Sequence, residues 1–167
     1  MHKLLALHQQ IHRALNDEQA KQQVFSDLCE LYRQSIGLDL FTLLVVHPNN
    51  SHTVRLYSSE ATHYPMMETR PIVHNSWHEN VMLRGETFYA ASMDEIQPFF
   101  SDWPTLQQLE LSSMLSIPTM LGKQCTGVIN ILHRSKHAYD HCDRYLLSQY
   151  AQLMGPLLCQ WRVQQTI

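Results

Sequence analysis

With 167 residues, 44% of them hydrophobic, and 12 basic against 15 acidic side chains for a net charge of −3, the chain has the length and apolar content of one ordinary domain with its own core. That charge balance, with no local run of Lys and Arg, excludes a general nucleic-acid surface, which needs a basic face to displace counterions. No stretch approaches the roughly 18 apolar residues of a membrane span, and the opening MHKLLALHQQIHRALNDEQ is broken by His and Gln with no small-residue cleavage site after it, so no signal peptide or membrane contact is expected and the location is read as cytoplasmic.

The chain begins as helix. Leu4, Leu7, His8, Ile11 and Leu15 recur at spacings of three and four, and Asn16 with Gln19 reads as the cap of the next helix. Val24, Phe25, Leu28, Leu31, Tyr32 and Ile36 line one side of that second helix, which Gly37 ends. The period then changes. LDLFTLLVVHP is a continuous apolar run, the pattern of a strand covered on both faces, and HTVRLYSS alternates after the turn HPNNS. Together they predict a β-hairpin.

Residues 60–75 read as a long loop containing Pro65 and Pro71, with no period. SWHENVMLRG predicts a short helix ended by Gly85, ETFYAA a brief strand, and SMDE a capping box of Ser92 and Glu95. SDWPTLQQLEL predicts another short helix, with Ser101 or Asp102 as cap and Pro104 in its first turn. SSMLSIPTML and CTGVINILH flank the turn GKQ as a second hairpin. A closing helix follows, with Tyr145, Leu146, Gln149, Leu153, Leu157 and Trp161 as its apolar stripe and Pro156 as a kink. Two hairpins and flanking helices make one antiparallel sheet the economical solution. The segment between the hairpins is too long for a mere connection, and crossings of this length are usually functional.

The four cysteines (Cys29, Cys125, Cys142, Cys159) show no CxxC spacing and read as reduced thiols. The 11 histidines are the unusual part of the composition, since protonating them would reverse the sign of the net charge. His74 and His78 are four apart on a predicted helix, with Glu79 and His63 nearby, a spacing that suits a metal or haem. His133, His137, His141 and Cys142 form a second set, but on a strand end and loop where they need not converge. No metal site is assigned. Neither a GxSxG elbow nor a glycine-rich phosphate loop nor an evident carboxylate pair is present, so no catalytic residue is assigned either.

From about residue 20 to about residue 160 the sequence resembles the GAF domain family. The likeness is strongest over FSDWPTLQQLELSSMLSIPTMLGKQCTGVINILHRSKHAYDHCD, where Phe100, Leu109, Ser113, Pro118, Gly122, Gly127, Asn130 and Asp143 fall at matching positions. SWHENVMLRGETFYAASMDE looks like the family's central helix and strand. The resemblance implies an α+β, PAS-related fold. It would have a central antiparallel sheet of five or six strands, the terminal helices on one face, and short helices with a ligand pocket on the other. It also implies a single domain over 1–167, residues 1–19 forming a signalling or dimerisation helix before a core of about 20–160.

By the same likeness the chain is a small-molecule-binding regulatory domain in signal transduction, not an enzyme, and a homodimer through its terminal helices, working with an effector domain or partner protein. The ligand and any cofactor stay open. The Asn-Lys motif of the cyclic-nucleotide-binding relatives is absent, no cysteine stands where bilin-binding relatives attach their pigment, and residues 37–123 contain no cysteine of the kind the family's free methionine sulfoxide reductases use. A haem or metal sensor built on the histidines, a thiol-dependent reductase and a dimerisation scaffold with an empty pocket are the alternatives. For the pocket, the aromatics of the insertion and polar groups of the strands give the candidate ligand-binding residues: Arg55, Tyr57, Trp77, Phe88, Phe100, Trp103, Ser113 and Asn130.

Overall fold

A computed structural model describes residues 2–167. Helix α1 (His2–Ala14) buries Leu7, Ile11 and Ala14, while His8 faces outward with its ring 4.9 Å from that of His12. Helix α2 (Glu18–Ile36) is capped by Asp17 and not by Asn16: the Asp17 carboxylate accepts from the Gln19 and Ala20 amides at 2.9 and 3.2 Å. Two side-chain oxygens with a fixed negative charge serve the unpaired first-turn amides better than the neighbouring carboxamide.

Strands β1 (Leu40–Val46) and β2 (His52–Ser58) form the first hairpin, and β5 (Ser113–Leu121) and β6 (Gln124–His133) the second. Two short strands complete a six-stranded sheet: β3 (Thr69–Pro71), within the stretch read as loop, and β4 (Phe88–Ala90). The order is β3-β2-β1-β6-β5-β4, every neighbour antiparallel. β3 escaped the sequence reading because three residues carry no period. It forms because the backbone folds back, with Arg55 and Met67 exchanging a 2.7 Å hydrogen bond and Arg55 and Glu68 one of 3.0 Å.

One sheet face carries Phe41, Leu43, Val45, Leu115, Ile117, Ile129 and Ile131 into the main core against α1, α2 and the two closing helices. Tyr32 at its centre donates a 2.7 Å hydrogen bond to the Leu147 carbonyl. The closing segment is two helices, α5 (Arg144–Gln152) and α6 (Gly155–Gln164). The break resets the helical phase, so the expected single stripe does not hold. Tyr145 is 74% exposed and Leu146 39%, whereas Leu147, Tyr150, Ala151, Met154, Leu157 and Leu158 are buried. Gln152 pins α5 to β5, accepting from the Met120 amide at 3.0 Å and donating to the Pro118 carbonyl at 3.1 Å.

The other sheet face is covered by residues 59–112. This insertion contains a six-residue π-helical turn (His78–Leu83) and the short helices α3 (Met93–Ile96) and α4 (Trp103–Gln108). The expected capping box does not form: Ser92 makes no side-chain cap, and Glu95 accepts from the amide of Ala91, one residue before the cap, at 2.7 Å. Two smaller clusters pack beneath the insertion, one around Ile96, Leu106 and Met114, the other around Val81, Met82 and Val128.

Gly127 lies where α6 meets the sheet. A methyl group there would stand 2.5 Å from the Leu44 carbonyl oxygen and 2.6 Å from Leu158 Cδ1. The carbonyl belongs to the paired strand and has no free direction in which to move. Gly127→Ala is therefore expected to lower unfolding free energy by about 1–3 kcal/mol, the usual cost of overpacking a core, read as an earlier midpoint in urea at unchanged slope.

Candidate functional site

A cavity of about 160 Å³ lies between the sheet and the insertion. Its floor is the second face of the strands: Leu40, Thr42 and Leu44 from β1, Thr53 and Arg55 from β2, Met114 from β5, and Asn130 and Leu132 from β6. Thr42 stands directly opposite Asn130, and Arg55 opposite Leu44. The roof comes from the insertion and includes Tyr64, Arg70, Trp77, Phe99, Phe100 and Asp102. Trp77 and Phe100 meet edge to face, with centroids 5.6 Å apart.

The polar groups form two linked sets. Arg55, 4% exposed, donates through Nη1 to the Pro65 carbonyl at 3.0 Å and to the Glu68 carboxylate, and its guanidinium lies 5.1 Å from the centre of the Tyr64 ring. Arg70 stands 3.6 Å from Glu68 and 3.7 Å from Asp102. The Tyr64 hydroxyl donates to Asp102 at 2.8 Å; burial and then the Asp102 charge push that phenol well above its usual pKa. In the second set, Trp77 Nε1–H donates to Ser116 Oγ at 3.2 Å, and Ser116 donates to Asn130 Oδ1 at 2.7 Å. One buried donor is left over: Arg55 Nε–H has no partner among the described residues.

Of the eight candidate residues, Arg55, Trp77, Phe100 and Asn130 line this cavity and the other four stand elsewhere. Tyr57 lies on the helical side of the sheet, its ring 5.9 Å from Phe41 and 6.5 Å from Phe25. The cause is a β-bulge: Leu43 pairs with Tyr57 but Leu44 pairs with Arg55, so Leu56 is an extra residue and the alternation flips. Phe88 stands behind the wall, 5.5 Å from Phe99 and 6.3 Å from Phe100. Trp103 opens α4, and Asp102 at its cap position spends its carboxylate on Tyr64 and Arg70, making no side-chain cap bond. Ser113 is fully buried and donates to the Ser135 carbonyl at 2.8 Å.

Sequence reasoning missed Thr42, Thr53, Tyr64, Arg70 and Asp102. For Thr42 a signal existed, a polar residue inside the apolar run of β1. Tyr64 and Arg70 lie in a stretch without period, and only the fold brings them over the sheet.

Among the described residues no three His, Cys, Asp or Glu side chains converge to hold a metal. The His74 and His78 rings touch edge to face, centroids 4.6 Å apart, and burial together with the His74 charge pulls the His78 pKa down. His133 sits 3.7 Å from Asp39, and His137 3.2 Å from Asp140, each with its own carboxylate.

This architecture is the GAF fold. The chain superposes on the GAF domain of a two-component sensor histidine kinase from Bacillus halodurans with a TM-score of 0.67, at 15% identity over 84% of this chain and 95% of that one. It matches a GAF3 domain from Synechocystis in its photoproduct state with a TM-score of 0.58, at 17% identity over 87% and 97%. A type II free methionine-R-sulfoxide reductase from Thermoplasma acidophilum has the same fold, with a TM-score of 0.60 and 17% identity over 80% and 87%. No protein-family profile and no curated protein sequence matches the chain. At these identities the likeness is one of fold, and the fold serves both sensors and an enzyme, so function rests on the site.

The Arg55–Glu68 pair predicts a pH dependence. Hydrogen bonding from Arg55 holds the Glu68 carboxyl below its usual 4.5. A carboxyl whose folded-state pKa is depressed stabilises the fold above the unfolded value and loses that contribution as pH falls through the folded one. Glu68→Gln should therefore flatten stability against pH below about 4.5 and lower stability at neutral pH, both read from urea unfolding at a series of pH values.

Proposed function

We propose that the chain is a non-catalytic regulatory domain that binds a small molecule between its sheet and its insertion. The observation that carries this reading is the largely apolar cavity between sheet and insertion, with the polar side chains of Thr42, Arg55 and Asn130 on its floor. Pockets of this build, apolar with a few fixed polar groups, are the usual form of small-molecule sites. Several solved structures that share the fold are sensor domains, including the histidine-kinase domain named above.

The thiols favour binding over thiol chemistry. None of the four cysteines lines the cavity, and burial pushes the Cys125 thiol up to about 12, where it stays protonated at neutral pH. If the chain is instead a thiol-dependent reductase, turnover of free methionine sulfoxide with a dithiol reductant should appear and vanish in Cys125→Ser. We expect none. Native mass spectrometry of the freshly purified protein is expected to show a retained small mass that denaturation releases; apparent mass equal to the bare chain, together with no thermal shift across a metabolite panel, would count against a ligand.

Ligand binding acts on the terminal helices in this reading. Leu5 on α1 and Val163 on α6 are each 59% exposed, and α1 packs beside α6. We propose that this surface makes a homodimer and passes the signal to an effector domain or partner protein. Light scattering at tens of micromolar, a range that detects modest affinity, should give twice the 19.5 kDa chain mass, and Leu5→Glu combined with Val163→Glu should return the monomer without loss of helical signal.

A further inference from the structure

The cavity opens to solvent, so its walls fix the chemical group that reaches the floor and not the size of what enters. Around Thr42 and Asn130 that floor is apolar, formed by Leu40, Leu44, Met114 and Leu132.

Asn130 is 9% exposed, and a chain of donors sets its orientation. The indole N–H of Trp77 can only donate, and it donates to Ser116 Oγ at 3.2 Å. Ser116 in turn donates to Asn130 Oδ1 at 2.7 Å. Turning the amide round would leave the proton of the fully buried Ser116 without an acceptor, a state that buried hydroxyls avoid. Oδ1 therefore faces Ser116, and Nδ2 is the atom left for the cavity. No described residue accepts from Nδ2. The fully enclosed side-chain atoms without a partner among the described residues are Arg55 Nε and Gln160 Oε1. Nδ2 is not one of them, so it keeps a face toward the cavity that Asn130 lines. Thr42 stands directly opposite on β1, 4% exposed, with a hydroxyl that can donate or accept.

Charge does not favour an ion here. Arg55 donates to Glu68, and Arg70 lies 3.6 Å from Glu68 and 3.7 Å from Asp102, which sets two cations against two carboxylates. An ion entering the floor would give up hydration and meet no uncompensated partner. A carbonyl oxygen satisfies the Asn130 donor and adds no charge. An amide N–H beside that carbonyl meets the Thr42 hydroxyl.

We infer that Asn130 selects the ligand of this cavity: an uncharged compound that presents a carboxamide or lactam group to the floor. Its carbonyl oxygen accepts from Asn130 Nδ2, its N–H donates to Thr42 Oγ1, and its apolar body packs against Trp77 and Phe100. This rests on the reading of the cavity as a ligand site. Because Asn130 is bonded through Ser116 to Trp77, the same contact reaches the insertion.

The test titrates the ¹⁵N-labelled chain with benzamide, benzoate, benzamidine and toluene: a neutral amide, an anion, a cation and an apolar ring. Backbone amides, the Asn130 side-chain NH₂ and Trp77 Nε1–H are followed. Benzamide is expected to shift both side-chain signals and to bind about tenfold tighter than toluene, the ratio one net hydrogen bond provides, and tighter than either ion. Asn130→Leu keeps the volume and removes the donor. It should bring benzamide down to the affinity of toluene and leave toluene unchanged, a split that general damage to the cavity would not produce. Where that variant loses its dispersed spectrum, acetophenone against isopropylbenzene on the unaltered chain deletes the oxygen from the ligand instead, and acetophenone should bind the tighter.

Benzoate or benzamidine binding tightest would overturn the neutral class while leaving the cavity a ligand site. Benzamide bound equally by Asn130→Leu and the unaltered chain, or acetophenone no tighter than isopropylbenzene, would overturn the role of Asn130. No shift at cavity residues with any of these probes would overturn both this inference and the reading beneath it.

Discussion

The two central strands, β1 and β6, are apolar on both faces, and the rest of the molecule answers that constraint. Phe41, Leu43 and Val45 turn one way, Leu40, Leu44 and Val46 the other. A strand of this kind is stable only when both layers exclude water. The helices at the two ends of the chain supply one layer. The second must come from what lies between the hairpins, so the insertion is part of the packing and not an ornament on a finished sheet. The cavity is the region where that cover is not flush with the floor.

Arg55 joins the floor to the cover. Its backbone pairs with Met67 and Glu68, its guanidinium holds Glu68 and the Pro65 carbonyl, and Tyr64 lies across its face. A buried guanidinium is costly unless its hydrogen bonds and charge are met. Here the insertion meets the charge and two of the hydrogen bonds.

The fold is common to light-responsive, kinase-linked and reductase proteins, which means its chemistry is carried by a few side chains on a shared frame. In this chain the cysteines sit within helices, in β6 or on the loop before α5, away from the cavity, and the histidine pairs either face each other or carry their own carboxylates. The polar groups that do reach the cavity are two arginines, the Asp102 carboxylate, two carboxamides, Ser101, two threonines and the polar edges of Tyr64 and Trp77.

Much of the architecture was legible in the residues. Both hairpins, the terminal helices, β4 and the short helical segments of the insertion were placed from period and turns, which are local properties of the chain, while β3 was not. Arg55 and Asn130 reach the cavity from strands, where alternation assigns the faces, and Trp77 and Phe100 reach it from the aromatic-rich insertion. Tyr57 departs because a single extra residue at Leu56 reverses that alternation, and a bulge leaves no mark in the pattern of side chains. The stripe on the closing helix shifted because the chain breaks before Gly155 and the phase restarts. Tyr64, Arg70 and Asp102 come together only because the insertion folds back over the sheet. The sequence by itself determined the elements and the two-sided burial of the central strands, which depend on neighbours a few residues away. The composition of the cavity wall and the partners of Arg55 were decided by the tertiary structure, because they depend on contacts between segments that no local period connects.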